Sequence, residues 1–168
     1  MPAVVSDSSP FVYLARLQRF DLLHTLFDQI LIPGAVWREV AVASASNPEG
    51  LEVVKAAEAG WLKVEEATAN PSFRDQGLLG LGEGEREAIL LALQKSALLI
   101  IDETDGRKVA TRLGITSIGT LGVLVQAKLS GLIPELRAEL NRLKAETNFR
   151  FTDKLFERAL RSVGESVL

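Results

Sequence analysis

Four acidic residues stand where a folded chain has little structural use for free charge. Asp7 closes the apolar run Ala3-Val4-Val5, and Asp102 follows Leu98-Leu99-Ile100-Ile101, with Glu103 and Asp105 just beyond it. Glu39 falls three residues after Val36 and four before Ala43, bordering the apolar stripe of a helix. Glu85 precedes Ile89 by four and Ala92 by seven, on the inward stripe of its own helix; Glu87 is rotated about 200° away from it. Carboxylates brought together repel, and the usual remedy is a divalent cation held by oxygen ligands, for which Mg²⁺ and Mn²⁺ are suited. Such a centre fits phosphodiester hydrolysis: one ion prepares the attacking water and a second, ~3.5–4 Å away, takes up charge on the leaving oxygen. Each acid also has a plainer use, Asp7 as a helix cap, Glu85 as a dipole partner and Asp102 as a turn acid. Their joint placement favours the metal site, because unpaired buried charge is costly.

The elements that must position these acids alternate. Short apolar strands are expected at Ala3–Val5, Ile30–Ile32, Trp61–Val64, Ala97–Ile101 and Ile115–Ile118. Between them the spacing predicts helices from Ser8-Ser9-Pro10 onward, at Ala35–Ala43, Glu49–Ala59, Glu83–Lys95, Asp105–Leu113 and Leu121–Leu129. Two polar-faced helices, Pro134–Glu146 and Thr152–Ser162, end the chain, and Ala67–Gly82 reads as an irregular, mobile loop. Alternating β and α with apolar strands implies an α/β fold, a parallel sheet covered on both faces by helices. In such sheets the ligand crevice lies beyond the carboxyl ends of the strands, where Asp7 and Asp102 fall.

Composition narrows the class. At 168 residues, with 47% apolar and 24% charged residues, the chain suits one domain, 1–168, with the helices of 134–162 packed on it. There is no cysteine, which excludes disulfides, thiolate metal sites and cysteine nucleophiles. The opening MPAVVSDSSP lacks the features of a secretory signal and no apolar run reaches membrane-spanning length, so a cytoplasmic protein without membrane association is expected. A net charge of −3 argues against binding a polyanion by bulk charge, leaving room for a local basic rim. Arg38, Arg107, Lys108 and Arg112 could supply that rim, although solvated helix charges are commoner. Trp37 could stack on a base, but core packing is the more frequent use; His24 reads as a surface or packing histidine. Gly80-Leu81-Gly82-Glu83-Gly84 lacks the preceding strand and the lysine of a phosphate-binding loop. The apolar residues of the helix after Pro33 and of Leu121–Leu132 exceed what one small sheet covers, so self-association is expected.

The ordered set Val5-Ser6-Asp7-Ser8-Ser9-Pro10, Ile32-Pro33…Val36…Glu39-Val40, Gly84-Glu85-Arg86-Glu87-Ala88-Ile89 and Ile101-Asp102-Glu103…Gly106-Arg107…Ala110 resembles a PIN-domain protein. The later Gly119-Thr120-Leu121-Gly122…Ala127-Lys128…Gly131 is similar to a prokaryotic branch related to VapC-type toxins. The resemblance implies a PIN-like three-layer αβα sandwich with about five parallel strands and a Mg²⁺- or Mn²⁺-dependent ribonuclease. It also implies frequent homodimers and a protein antitoxin as partner. The catalytic and metal-binding acids carried over are Asp7, Glu39, Glu85 and Asp102, with Glu103 and Asp105 competing for the last place. Ser8 either orients water or RNA beside Asp7 or belongs to the helix cap, and the resemblance supports Arg107 more than Arg38 as an RNA contact. The leading expectation is therefore a metal-dependent endoribonuclease, possible toxin of a toxin–antitoxin pair. The alternative is a catalytically silent PIN-type module that binds RNA or protein.

Overall fold

The five apolar runs become five short strands in a computed structural model that describes residues 2–68 and 76–168. In chain order the elements are β1 (Val4–Ser6), α1 (Ser8–Arg16), α2 (Asp21–Phe27), β2 (Ile30–Ile32) and α3 (Gly34–Trp37), which runs into a π-helical turn at Arg38–Val42. There follow α4 (Pro48–Glu58), β3 (Leu62–Val64), α5 (Gln76–Leu79), α6 (Glu83–Lys95), β4 (Leu98–Ile100) and α7 (Thr104–Arg112). The chain ends with β5 (Ser117–Ile118), α8 (Thr120–Leu129), α9 (Leu136–Glu146) and α10 (Asp153–Ser162).

The sheet is wholly parallel, in the order β3-β2-β1-β4-β5. Side chains alternate across a strand, and that period divides the core in two. Val4, Ile30, Ile32 and Ile100 enter one cluster with Phe11 and Leu14 of α1, Leu23 of α2, Val53 of α4, Leu124 of α8, Leu140 of α9 and Leu160 of α10. Val5, Leu31, Leu99 and Ile101 enter the other with Ala88 and Ile89 of α6 and Val109 and Ala110 of α7. Helices thus cover both faces, and the expected αβα layering is found. Among the described residues no helix is long and apolar enough to cross a membrane.

Two expectations need correction. The single helix foreseen over Ala35–Ala43 is one α turn followed by a π turn, in which the Ala43 amide donates to the Arg38 carbonyl at 2.8 Å, five residues back. The stretch Ala67–Gly82 is not wholly irregular, since it contains α5; residues 69–75 of it lie outside the described residues. His24 stacks on Trp61 with ring centroids 4.9 Å apart and 16° between planes, and Trp37 packs half-buried against the first core.

Phe11 anchors α1, and so the entry to the site, from the fully buried interior, 5.7 Å from the Phe20 ring centroid. Phe11→Ala is expected to cost about 3–5 kcal/mol of stability, the usual range for emptying a buried aromatic site. Urea unfolding of the variant and parent measures it.

Candidate active site

Chain order reverses in the middle of the sheet. From β1 the chain moves outward through β2 and β3, then returns to add β4 and β5 on the other side. Open parallel sheets have their ligand crevice at such a reversal. The register sets Ser6 against Ile100 and Ile100 against Ile118, and the Asp7 amide donates to the Ile100 carbonyl at 2.9 Å. Asp7 and Asp102 therefore leave neighbouring strands at one edge.

Around that edge lies a cavity of about 520 Å³ whose lining includes Asp7, Ser8, Glu39, Glu83, Glu85 and Glu103. Asp7 is only 3% exposed. It occupies the N-cap position of α1, yet its side chain makes no capping bond to the first turn. Glu39 sits on the π turn, exposed as a residue, and its Oε2 accepts a 2.7 Å hydrogen bond from the Ser8 hydroxyl. Glu85 enters from the first turn of α6, half-buried, with Oε2 sealed from solvent and without a hydrogen-bond partner. Asp102 is braced from behind: Oδ1 accepts from the Thr120 amide and Oδ2 from the Thr120 hydroxyl, both at 2.7 Å.

Three glycines make room for these acids. A Cβ at Gly84 would stand 3.0 Å from Glu39 Oε2 and 3.6 Å from Asp7 Oδ1. At Gly106 it would stand 2.9 Å from Glu85 Oε2, and at Gly119 2.7 Å from Asp102 Oδ1. Side chains at these places would displace the carboxylates.

Burial pushes the Asp7 carboxyl up from 3.8 to about 7; the Ser8 amide offsets part of this, and the charges of Glu85, Glu39 and Asp102 add to it. Glu85 is also raised, first by burial and then by Glu103. Asp102 is raised by burial against the opposing hydrogen bonds from Thr120 and the nearby Arg107. Among the described residues, no three acidic or histidine side chains are drawn closely enough together to form a ready-made cation site. The donors nevertheless suit a hard divalent ion. They are carboxylates, of which burial and the neighbouring charges push Asp7 up to about 7, and Glu85 has an orphaned buried oxygen.

Over residues 3–165 the sequence matches the family DUF3368, described as a PIN domain. The chain belongs to the PIN-domain family. PIN domains are, as a family, nucleases that generally use divalent metal ions. Among solved structures, the chain is similar to a PilT N-terminus domain protein from the hyperthermophilic archaeon Sulfolobus solfataricus. The two are 21% identical with a TM-score of 0.48, the match covering 76% of this chain and 93% of that one. No curated protein matches the sequence.

Within this PIN domain the expected residues do not all meet. Asp7, Glu39, Glu85, Glu103, Ser8 and Arg38 share the cavity. Asp102 lines a neighbouring one with Arg107, and Asp105 acts on Glu85 only through space. Ser8 binds a carboxylate rather than the helix end. Arg38 is exposed and pairs with Glu83 at 3.2 Å. Glu87, expected away from the site, does not line the cavity; it is half-buried and its Oε2 accepts the Ala35 amide at 3.1 Å, where α6 packs against α3. Thr120 was not singled out as a partner of Asp102; the only trace in sequence is a Gly-Thr pair opening the helix after β5.

Between about pH 4 and about pH 7 the folded PIN domain keeps a proton on Asp7 that the unfolded chain has released, so stability falls as pH rises through this window and levels off above it. The difference corresponds to on the order of 4 kcal/mol. Asp7→Asn is expected to flatten most of this slope and, without divalent ions at about pH 8, to raise the melting temperature. Glu85 and Asp102 contribute a residual slope of the same sign. Calorimetric melting of both proteins across pH checks it.

Proposed function

We propose that this PIN domain is a Mg²⁺- or Mn²⁺-dependent endoribonuclease that hydrolyses RNA phosphodiester bonds. Support comes above all from Asp7, Glu39 and Glu85 lining one cavity at the strand-order reversal, where Glu85 Oε2 is buried without a partner. Asp7, Glu39 and Glu85 would hold the ion, with Asp102, Glu103 or Asp105 as the fourth acid. When bound, a divalent ion lowers the pKa of water and offsets charge on the reacting phosphate.

The protein groups have separable tasks. Asp7, raised chiefly by burial, would hold a divalent ion as the carboxylate, so binding the ion would release its proton. The Ser8 hydroxyl fixes the orientation of Glu39 by donating to Oε2. Thr120 fixes the orientation of Asp102 with two donors. Water adds to phosphorus, one ribose oxygen leaves, and that oxygen takes up a proton. A toxin role within the VapC-related branch, with a protein antitoxin and a homodimeric state, accords with the residues shared with that branch. Val42 and Leu129, 61% and 65% exposed, are apolar surface that a second copy would cover.

Purified protein is expected to cleave single-stranded RNA with Mg²⁺ or Mn²⁺ and to stop on addition of EDTA. Glu85→Gln should lower the rate by at least the roughly 10–100-fold that loss of an outer-sphere partner of a metal costs, with stability unchanged or higher. Added Mn²⁺ should restore part of the rate by mass action. Glu58→Gln, an exposed change on α4, should leave the rate untouched. Gel-resolved cleavage of a labelled oligoribonucleotide reads all of these, and absence of cleavage under every metal condition favours the silent module.

A further inference from the structure

Beside the acidic cavity lies a second, of about 400 Å³, lined by Asp102, Thr104, Arg107, Lys108 and Thr111. It has the opposite character. Two cations and two threonines line it along the length of α7, and among the described residues its one acid is Asp102. Both Asp102 oxygens accept hydrogen bonds from Thr120, and the Arg107 guanidinium acts on that carboxylate through space without pairing with it. A Cβ at Gly119 would lie 3.4 Å from Arg107 Nη1 and 2.7 Å from Asp102 Oδ1, which locates the guanidinium close to the Asp102 carboxylate. Among the described residues neither Arg107 nor Lys108 forms an ion pair. Arg38 differs, since its guanidinium is tied to Glu83.

We infer that the α7 cavity is a phosphate subsite, in which Arg107 and Lys108 hold the RNA phosphate next to the one being cleaved, with the Thr104 hydroxyl as a further donor; the Thr111 hydroxyl is already engaged, donating to the Arg107 carbonyl at 3.0 Å. The inference rests on the nuclease reading for the identity of the strand. A planar guanidinium offers paired donors to a phosphate and an ammonium adds a point charge. Such a subsite answers a difficulty posed by the acidic cavity. An RNA strand approaching Asp7, Glu39 and Glu85 meets repulsion, and cations immediately across Asp102 draw the neighbouring phosphate in and set the strand's register. Arg107 and Lys108 are thus positioning residues, acting on binding more than on the chemical step.

The test is the binding of a fluorescein-labelled single-stranded oligoribonucleotide, followed by anisotropy with Mg²⁺ over a range of salt, in Glu85→Gln protein so that the probe survives. Adding Arg107→Ala and Lys108→Ala together should weaken binding roughly 10-fold or more at moderate salt and reduce the slope of log Kd against log salt by about 1. Arg107→Lys with Lys108 retained should keep the slope but not the full affinity, since charge survives and paired geometry does not. Lys63→Ala, on the far edge strand β3, should change neither. Affinity and slope within twofold of the parent in the double variant would overturn the subsite, as would an equal loss from Lys63→Ala, which would mean bulk charge alone. Cleavage assays in the Glu85 background of the natural chain separate the two readings. Raised KM with nearly unchanged kcat supports the subsite, whereas loss of binding in a protein that never cleaves RNA keeps the subsite and removes the nuclease.

Discussion

Acidic side chains gathered at one end of the sheet, with Asp7 almost wholly out of water, are the constraint around which the rest of the molecule is arranged. Two neighbouring strands deliver Asp7 and Asp102 to the same edge, and helices from either face add Glu39 and Glu85. Burial is the largest cause of the upward pKa shifts of Asp7, Glu85 and Asp102, and mutual repulsion adds to each. A fold pays for such an arrangement in stability, so it persists where a cation or a proton relieves it. The protonation of Asp7 near neutrality is that relief in the metal-free chain.

The surrounding architecture supplies space and bracing. Gly84, Gly106 and Gly119 leave room where any side chain would press on a carboxylate. The Ser8 hydroxyl and the paired donors of Thr120 fix two of the four acids, while Glu85 keeps an oxygen free of partners. Glu87, by accepting the Ala35 amide, ties α6 to the start of α3 and so fixes the two helices that carry Glu85 and Glu39 relative to each other. Along the chain the linings change hands from one residue to the next, Glu103 in the acidic cavity and Asp102 and Thr104 in the one that holds Arg107 and Lys108.

Much of this was legible in the sequence because the signals were local. The apolar runs ending in Asp7 and before Asp102 marked strand exits, and Glu85 within the stripe of Ala88, Ile89 and Ala92 marked an inward acid. Glu39 was found by its helical spacing, but the π turn that carries it was not, since one extra residue per turn leaves no mark in an apolar pattern. The bond of Glu87 to Ala35 left no mark for a different reason: rotation about one helix axis says nothing of a second helix lying against it. Thr120 and the α7 cavity depend on how β5 and α8 approach β4, which is long-range information. The short helix α5 was missed because four residues are too few to show a period.

The most direct test of the central claim is the titration of Asp7 itself, read from its side-chain carboxyl carbon by NMR in protein labelled with ¹³C aspartate. A metal-free midpoint at about 7, well above the ordinary 3.8, is the result expected, falling by more than a unit when Mg²⁺ saturates the site. A metal-free midpoint at the ordinary aspartate value, or one that saturating Mg²⁺ does not move, would contradict the account.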